Sequence, residues 1–371
     1  MNLFWASVFL LFPLLALSYV GWHVWALLPC APVWKSAVLV VGLLCFLLLF
    51  FDVSGRLDAL PMPLARVLYN IGTSSFIILP YVVMLFLVLD LGRLCHLVPR
   101  SWLYANGWVA TGLFALLVLI FSYGYVHYHH KVRVALTVES ARPLPRSYKV
   151  VMASDLHLGY HNDRRELARW VDMMNAERPD LILIAGDIID VSVRPLVEED
   201  MAAEFRRLRA PVVACLGNHE YYSRIPRARQ FYRDAGIRLL VDEAVSVDST
   251  LIVIGRDDRT NSRRKPLATL MAEAKSLPAA GESEGAFVIL LDHQPHDLAE
   301  AERAGIDFQL SGHTHRGQVW PASWATGLMY ECSWGSHRRG RTQYYVSSGL
   351  GIWGGRYRIG TQSEYVVATI R

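Results

Sequence analysis

Four long apolar segments in the first third of the chain constrain its fold more than any other feature. They run over about Leu3 to Leu28, Ser36 to Phe51, Val67 to Leu89 and Ser101 to Val126. A spanning helix needs roughly 20 apolar residues, and it satisfies its backbone hydrogen bonds internally. The sequence therefore predicts an N-terminal all-α transmembrane bundle of about four helices over residues 1–130. Three spans are the alternative, because the second segment is short.

The charges beside these segments predict their orientation. No Lys or Arg precedes the first segment, as a secretory signal peptide would require, so it is interpreted as an uncleaved span. With four spans, one side carries Arg56, Arg66, Lys131, Arg133, Arg142 and Arg146, and the other carries Lys35, Arg93 and Arg100. Positive residues favour the cytoplasm, so the rest of the chain is predicted to be cytoplasmic. The loss of one span would reverse this orientation.

Composition excludes several other classes of protein. The formal charge of +4 is modest and dispersed, which suits a membrane surface or phosphorylated substrates and excludes a nucleic-acid partner. The five cysteines form no Cys-x-x-Cys pair and no disulfide-like spacing. Neither a thiolate metal site nor a disulfide framework is therefore expected.

The remainder of the chain has the pattern of an α/β domain. Residues 131–147, which include Arg142-Pro-Leu-Pro145, are interpreted as a linker. From residue 148 to residue 371, nine short apolar strands alternate with five amphipathic helices. Such alternation predicts an α/β fold whose function lies at the strand ends. Asn162 is placed to cap the first of these helices.

Polar residues of similar kinds follow five of the strands. Four of the five sets contain a histidine, and a glycine precedes the polar residue in three of them. The sets are Asp155-Leu-His157, Gly186-Asp187, Gly217-Asn-His-Glu220, Asp292-His-Gln-Pro295 and Gly312-His-Thr-His315. Strand residues i and i+2 point to the same side, so Asp155 and His157 can reach one ion. Carboxylate, imidazole and amide ligands without thiolates suit Mn, Fe or Zn, and five such strand ends together predict a dinuclear metal site.

This ordered set of motifs resembles the calcineurin-like metallophosphoesterases over about Lys149 to the C-terminus. The resemblance implies a double β-sandwich flanked by helices and two divalent metal ions, with Mn the leading candidate and Fe or Zn possible. It implies that Asp155, His157 and His315 hold one metal, that Asn218, His293 and His313 hold the other, and that Asp187 bridges them. His219 would be the general acid or a transition-state stabiliser. Two such cations can clamp a phosphoryl group and lower the pKa of a bound water.

Other residues near these motifs have alternative interpretations. His293 is preferred to His296 as the ligand because it comes first after its strand. Glu220 is interpreted either as a hydrogen-bond partner of a ligand histidine or as an exposed acid. Arg256, Arg259, Arg263 and Arg264 lie in a basic loop that is either solvated or a clamp for substrate phosphate. Ser347-Ser-Gly-Leu-Gly-Ile-Trp353 resembles a loop near the site in membrane-linked members of the family.

The combination of spans and a phosphoesterase domain favours a lipid-linked phosphate substrate at the bilayer. Within the family it resembles the membrane-anchored pyrophosphatases that cleave UDP-2,3-diacylglucosamine to lipid X and UMP in lipid A synthesis. That resemblance implies a multi-pass protein of the bacterial inner membrane. Broad phosphodiesterases or phosphatases, acting on other lipid-linked or soluble nucleotide substrates, and a non-catalytic metal-dependent scaffold are the alternatives. The sequence leaves the oligomeric state open.

Overall fold

The chain consists of two compact units, residues 1–125 and residues 126–371. The computed structural model describes residues 3–248, 250–277 and 286–371, with side chains described from residue 11 onward. The first unit is helical, and the second unit contains the predicted strands and helices.

Four apolar helices dominate the described residues of the first unit. They are α1 (Leu3–Leu27), α2 (Pro32–Val53), α3 (Met62–Leu94) and α4 (Gly107–His129). Among the described residues, α2, α3 and α4 are long and apolar enough to cross a membrane, and the described part of α1 is a shorter apolar helix over Leu11–Leu27. The second predicted segment, 36–51, is extended at both ends in α2, whose 22 residues are enough to span a membrane. Gly72 of α3 has no room for a side chain, since its Cα packs against the α2 backbone at Leu48 and Leu49.

The described residues of the second unit form two six-stranded sheets. The first has the order β1-β12-β2-β3-β4-β5, and the second has the order β10-β11-β9-β8-β7-β6. The strands are β1 (Lys131–Val138), β2 (Tyr148–Ala153), β3 (Leu181–Ala185), β4 (Val212–Cys215), β5 (Arg238–Leu240), β6 (Glu243–Ser246), β7 (Leu251–Gly255), β8 (Phe287–Leu291), β9 (Phe308–Ser311), β10 (Gly335–Arg339), β11 (Thr342–Val346) and β12 (Ser363–Ile370).

One hydrophobic core lies between the two sheets and another covers the outer face of each sheet. Met152 and Leu183 of the first sheet meet Val253, Ile289 and Leu310 of the second in the central core. The outer faces are covered by short helices, which pack against β2–β4 on one side and β7–β9 on the other. These helices are α5 (Arg164–Ala176), α6 (Arg194–Glu198), α7 (Met201–Phe205), α8 (Asn218–Tyr222), α9 (Ile225–Asp234), α10 (Leu267–Lys275) and α11 (Leu298–Ala304), and α12 (Ala322–Met329) follows β9. The predicted double β-sandwich flanked by helices is confirmed.

The predicted linker over residues 131–147 is wrong in its first half. Residues Lys131–Val138 form β1, which pairs in parallel with β12 along its whole length. Val132, Val134, Leu136 and Val138 alternate with exposed residues, as a half-buried strand requires. The second unit therefore begins at Val126, within α4, and β1 follows α4 directly in the sequence.

Candidate metal centre

The predicted metal-binding residues all follow the carboxyl ends of neighbouring parallel strands. In the first sheet, β2, β3 and β4 are parallel and are followed by Asp155, Asp187 and Asn218. In the second sheet, the parallel strands β8 and β9 are followed by His293 and His313. The carboxyl ends of parallel strands meet at one edge of a sheet, and the sandwich brings the two edges together. Five separate motifs thus converge on one place.

Two groups of potential ligand atoms lie side by side at this place. Asp155, His157 and His315 form the first group, and Asp187, His293 and His313 form the second, with ligand atoms within 4.8 Å of one another in each. His315 Nε2 lies 3.4 Å from Asp155 Oδ1 and 3.0 Å from His157 Nε2. All six side chains are buried or nearly so.

Asp187 lies between these groups, and Asn218 lies beside the second. Asp187 Oδ2 lies 3.1 Å from His293 Nε2 and 3.7 Å from His157 Nε2, so it faces both groups. Asn218 Oδ1 lies 2.9 Å from His313 Nδ1. His219 also joins a group with His157 and Asp187, and its main-chain N–H donates to Asp187 Oδ1 at 2.9 Å. His296 lies outside these groups and stacks on Tyr330, at 4.8 Å between ring centroids.

Hydrogen bonds fix the orientation of two imidazoles. His157 Nδ1 donates to Asp190 Oδ1 at 3.1 Å, and His293 Nδ1 donates to the Ala185 carbonyl at 2.7 Å. Each ring therefore keeps its proton on Nδ1 and turns Nε2 toward the carboxylates. This is the tautomer in which Nε2 can bind a cation.

The electrostatics of the site fit a divalent cation. His293 Nε2 is buried, has no hydrogen-bond partner among the described residues, and lies within 4.0 Å of both Asp155 and Asp187. Burial would lower the pKa of His157, but the Asp155 and Asp190 carboxylates raise it to about 10. Burial would likewise raise the pKa of Asp187, yet His293 and His219 hold it well below its usual value. The buried carboxylates thus attract positive charge, and the donor set of carboxylate, imidazole and amide groups suits Mn, Fe or Zn.

Two of the glycines that precede the site residues occupy positions where no side chain would fit. A Cβ atom on Gly217 would overlap the Asp187 carboxylate, and one on Gly312 would overlap the Asp155 carboxylate. The strand ends can approach one another this closely only without a side chain at these positions.

We expect Gly312→Ala to displace the Asp155 carboxylate and lower any metal-dependent activity of this site by about 10²-fold, since a misplacement of about 1 Å can have such an effect. Steady-state kinetics on the full chain would measure this. Gly327→Ala is the matched control, because nothing lies within 4 Å of a Cβ atom there. Equal activity of Gly312→Ala and wild type would contradict the steric role.

Asp190 is a residue of the site that the sequence motifs did not single out. Its buried carboxylate accepts from His157 Nδ1 and lies 3.2 Å from His219 Nδ1, and its main-chain carbonyl accepts from the same His219 nitrogen at 3.2 Å. It follows Asp187 by three residues on the same loop, which was the available signal. Asp190 therefore orients one predicted ligand and the predicted general acid together.

We expect Asp190→Ala to weaken metal binding by about 10- to 100-fold, the usual effect of removing a carboxylate that orients a ligand histidine. Metal titration by calorimetry, with circular dichroism as a check on folding, would measure this. Asp190→Asn, which keeps an oxygen acceptor, should lose less affinity. Unchanged affinity in both variants would contradict the orienting role.

Glu220 takes neither of the two roles predicted for it. It is fully buried, and its carboxylate accepts from the main-chain N–H groups of Asp187, Ile189 and Gly217 at 2.7–3.1 Å. The Tyr232 hydroxyl donates to it at 3.0 Å. Burial and the nearby Asp187 carboxylate raise its pKa to about 7. Glu220 thus ties the loop after β3 to the loop after β4.

The predicted phosphate clamp is wrong for two of its four arginines. Arg256 is buried and pairs with Asp292 at 3.2 Å and Glu300 at 2.8 Å, while Arg264 pairs with the other Asp292 oxygen at 2.9 Å. Both guanidinium groups compensate a buried carboxylate next to His293, so neither is available for substrate. Arg259 and Arg263 are exposed, and their role in substrate binding stays a prediction.

The glycine-rich segment after β11 lies beside the site. The main-chain N–H groups of Leu350 and Gly351 donate to the Ser154 and Asp155 carbonyls at 3.0 Å. Arg358, which is fully buried, donates to the His315 carbonyl at 2.7 Å and to the Gly351 carbonyl at 3.1 Å. Arg358 therefore joins this segment to the loop that carries His313 and His315.

Asn162 supports the first metal loop instead of capping α5. Its side-chain amide donates to the Leu156 and His157 carbonyls at 3.0 and 3.1 Å, and it accepts from the Tyr128 hydroxyl at 2.6 Å. Asp163 is the actual cap and accepts from the first turn of α5. The capping prediction was one residue off because both residue types favour that position.

Comparison with known proteins identifies the family. The model of the calcineurin-like phosphoesterases matches residues 148–317. An uncharacterised metallophosphoesterase of Aquifex aeolicus is 30% identical over 263 residues, which cover 69% of this chain and 98% of that protein. The chain belongs to the calcineurin-like phosphoesterase family. A transmembrane protein with metallophosphoesterase domain from Danio rerio is 31% identical, covering 76% of this chain and 70% of the relative. A solved dimetal phosphatase from Danio rerio is 13% identical, with a TM-score of 0.35 and coverage of 57% and 88%.

Membership in the calcineurin-like phosphoesterases establishes the type of reaction. The chain is a metal-dependent phosphohydrolase, and the clustered side chains of the second unit are candidate ligands for divalent metal. Its apolar helices indicate an association with a membrane.

Proposed function

We propose that this phosphohydrolase uses two divalent metal ions. Asp155, His157 and His315 hold one ion, and Asn218, His293 and His313 hold the other, with Asp187 between them. The support is the division of the ligand atoms into two adjacent groups that Asp187 faces together. Manganese is the preferred ion, and iron or zinc would suit the same donors.

The metal ions would supply Lewis-acid stabilisation of the phosphoryl oxygens. The chain's own residues contribute proton transfer and positioning. His219 directs Nδ1 to Asp190, so Nε2 is the ring nitrogen that can deliver a proton to the leaving oxygen. The carboxylate of Glu220 holds the loops of Asp187 and Asn218 in register.

We propose a lipid-linked phosphate as the substrate, with the best candidate UDP-2,3-diacylglucosamine, cleaved to lipid X and UMP. The observation that carries this proposal is the direct connection of the metal centre's unit to apolar helices, since the second unit begins at Val126, within α4. A catalytic unit that is covalently joined to membrane-spanning helices would meet lipid-borne substrates at a high effective concentration.

Hydrolysis by the full chain in lipid nanodiscs with Mn²⁺ tests this proposal. UDP-2,3-diacylglucosamine is compared with other lipid phosphates and with soluble nucleotides at equal concentration, and UMP release is measured. We expect the lipid-linked nucleotide to have the highest kcat/KM. Preference for another lipid phosphate would reject the lipid A role. Equal turnover of soluble nucleotides would instead support a broad phosphodiesterase.

A metal-dependent scaffold without catalysis is less compatible with the site. His219 is only 12% exposed, and Asp190 holds it beside Asp187. A pure binding site has no need for such a positioned proton donor. Absence of hydrolysis on every substrate by metal-loaded protein would favour the scaffold.

We propose that the chain is a multi-pass protein of the bacterial inner membrane with the second unit in the cytoplasm. The four apolar helices and the excess of Arg and Lys on that side in a four-span arrangement support this. Alkaline phosphatase fused to the C-terminus should be inactive, because it folds only outside the cytoplasm. An active fusion would indicate three spans or the opposite orientation.

A further inference from the structure

An exposed apolar segment lies next to the metal centre. Residues 318–330, which we call the apolar flap, contain α12 and connect His315 to β10. Trp324 is 66% exposed, Leu328 91% and Met329 64%, and no residue of α12 is buried. Trp324 and Leu328 are four residues apart and therefore share one helix face. Seven large apolar side chains are exposed among the described residues 126–371. Trp320, Trp324, Leu328 and Met329 are in the flap, and the other three are Val126, Val197 and Tyr222.

The base of the flap is firmly attached to the site. Gln318 donates to the Trp353 and Gly355 carbonyls at 3.1 and 3.2 Å, and the Trp320 N–H donates to the Ile359 carbonyl at 2.7 Å. At the other end, the Tyr330 ring lies 4.8 Å from His296 and 6.3 Å from His313. The exposed helix is thus a defined projection whose two ends rest beside the predicted ligands.

The chemistry of the flap suits a lipid surface. Trp320 and Trp324 accompany Leu328 and Met329, and the sequence between Gly312 and Tyr330 contains Arg316 but no acidic residue. Tryptophan is enriched at the membrane interface, where its ring is partly in lipid and its N–H is in water. An apolar patch of this kind on a soluble protein marks a binding surface.

A bilayer is also the surface that the second unit is always close to. That unit starts at Val126, inside an apolar helix long enough to cross a membrane. A second copy of the chain would have to bind from solution or from elsewhere in the membrane. The bilayer is instead kept at a high effective concentration, because the apolar helices belong to the same chain. We propose that the apolar flap inserts Trp324, Leu328 and Met329 into the lipid interface and holds the mouth of the metal centre at the membrane. This goes beyond the proposed reaction, because it holds for any substrate.

Spin labelling of the full chain in nanodiscs tests the proposal without any substrate. A nitroxide is attached to Leu328→Cys in a background where Cys30, Cys45 and Cys95 are serine, since Cys215 and Cys332 are buried. Power saturation compares collisions with oxygen, which concentrates in lipid, and with a water-soluble nickel chelate. The matched control is Val197→Cys, which replaces another exposed apolar residue of the same unit, 67% exposed.

The oxygen-to-nickel accessibility ratio should be several-fold higher at position 328 than at position 197. Equal ratios would overturn the proposal. A dipolar broadening between labels at 328 would also overturn it, because it would show a second copy of the chain on the flap. Cleavage of a soluble diester, bis(p-nitrophenyl) phosphate, by the labelled protein reports separately on the hydrolase. Failure to cleave this soluble diester would count against the proposed function and not against lipid contact.

A kinetic test uses the double variant Trp324→Asp/Leu328→Asp. We expect KM for a phosphodiester carried on vesicles to rise about tenfold, because aspartate is disfavoured at the membrane. The kcat/KM for the soluble diester should stay unchanged, since these side chains face away from the packed interior. Equal losses on both substrates, or no loss on vesicles, would contradict the lipid contact.

Discussion

Asp187→Asn should lower kcat/KM for phosphodiesters by at least about 10³-fold, corresponding to roughly 4 kcal/mol of transition-state stabilisation. Asp187 Oδ2 faces His293 and His157, and Oδ1 accepts the His219 N–H. Asparagine keeps one oxygen and nearly the same volume, but it removes the negative charge that both ligand groups share. We therefore expect the variant to fold and to bind fewer metal ions.

Metal content and kinetics should be measured on the same preparation of this variant. Wild type should carry two ions per chain, and Asp187→Asn should carry one or none. Asp234→Asn is the control, because Asp234 is an exposed acid of the same unit, outside the metal centre. A fully loaded and fully active Asp187→Asn protein would disprove the bridging role and with it the proposed dinuclear site.

The convergence of the candidate metal ligands could be predicted from sequence because each motif is local. Asp155-Leu-His157 and Gly312-His-Thr-His315 each follow an apolar run, and the strand order then brings them together without further information. The glycines at 217 and 312 belong to the same signal, since their lack of a side chain is what permits the approach of the carboxylates. The motifs at the strand ends and the strand order of the two sheets therefore point to the same site.

The errors arose where a residue's role depends on a partner distant in sequence. Arg256 was predicted to be either solvated or part of a phosphate clamp, but it is buried and its charge is neutralised by Asp292 and Glu300, 36 and 44 residues away. Glu220 was expected to be exposed or to hydrogen-bond a metal-ligand histidine. Instead, the loop after β3 supplies main-chain N–H donors to its carboxylate. No periodicity in the sequence predicts such pairs.

Two of the elements that the sequence analysis missed, β1 and α12, were missed for different reasons. The alternation of β1 was visible, but the proline-containing stretch after it favoured a linker for the whole region. The helix α12 is short and mostly apolar, with Ser323 and Thr326 as its polar residues, and it buries no residue, so it lacks the buried apolar face by which surface helices are recognised. The start of α12 packs against Gly317, whereas Trp324, Leu328 and Met329 stay exposed, and these are the residues that the proposed lipid contact would cover.

His219→Ala should lower kcat by about 10²- to 10⁴-fold on substrates whose leaving group is an alkoxide, because such a group needs a proton as the bond breaks. A pyrophosphate bond releases a phosphate, which needs little protonation, so cleavage of a nucleotide–lipid pyrophosphate should fall much less. Asp190 holds the His219 imidazole through Nδ1. Removing this imidazole should leave the ligand groups around Asp155 and His293 in place, because His219 belongs to neither group. Comparing an alkyl phosphodiester with a pyrophosphate, with His337→Ala as the surface control, measures this difference. Equal losses on both substrates, together with lost metal, would show that His219 is a metal ligand and not a proton donor.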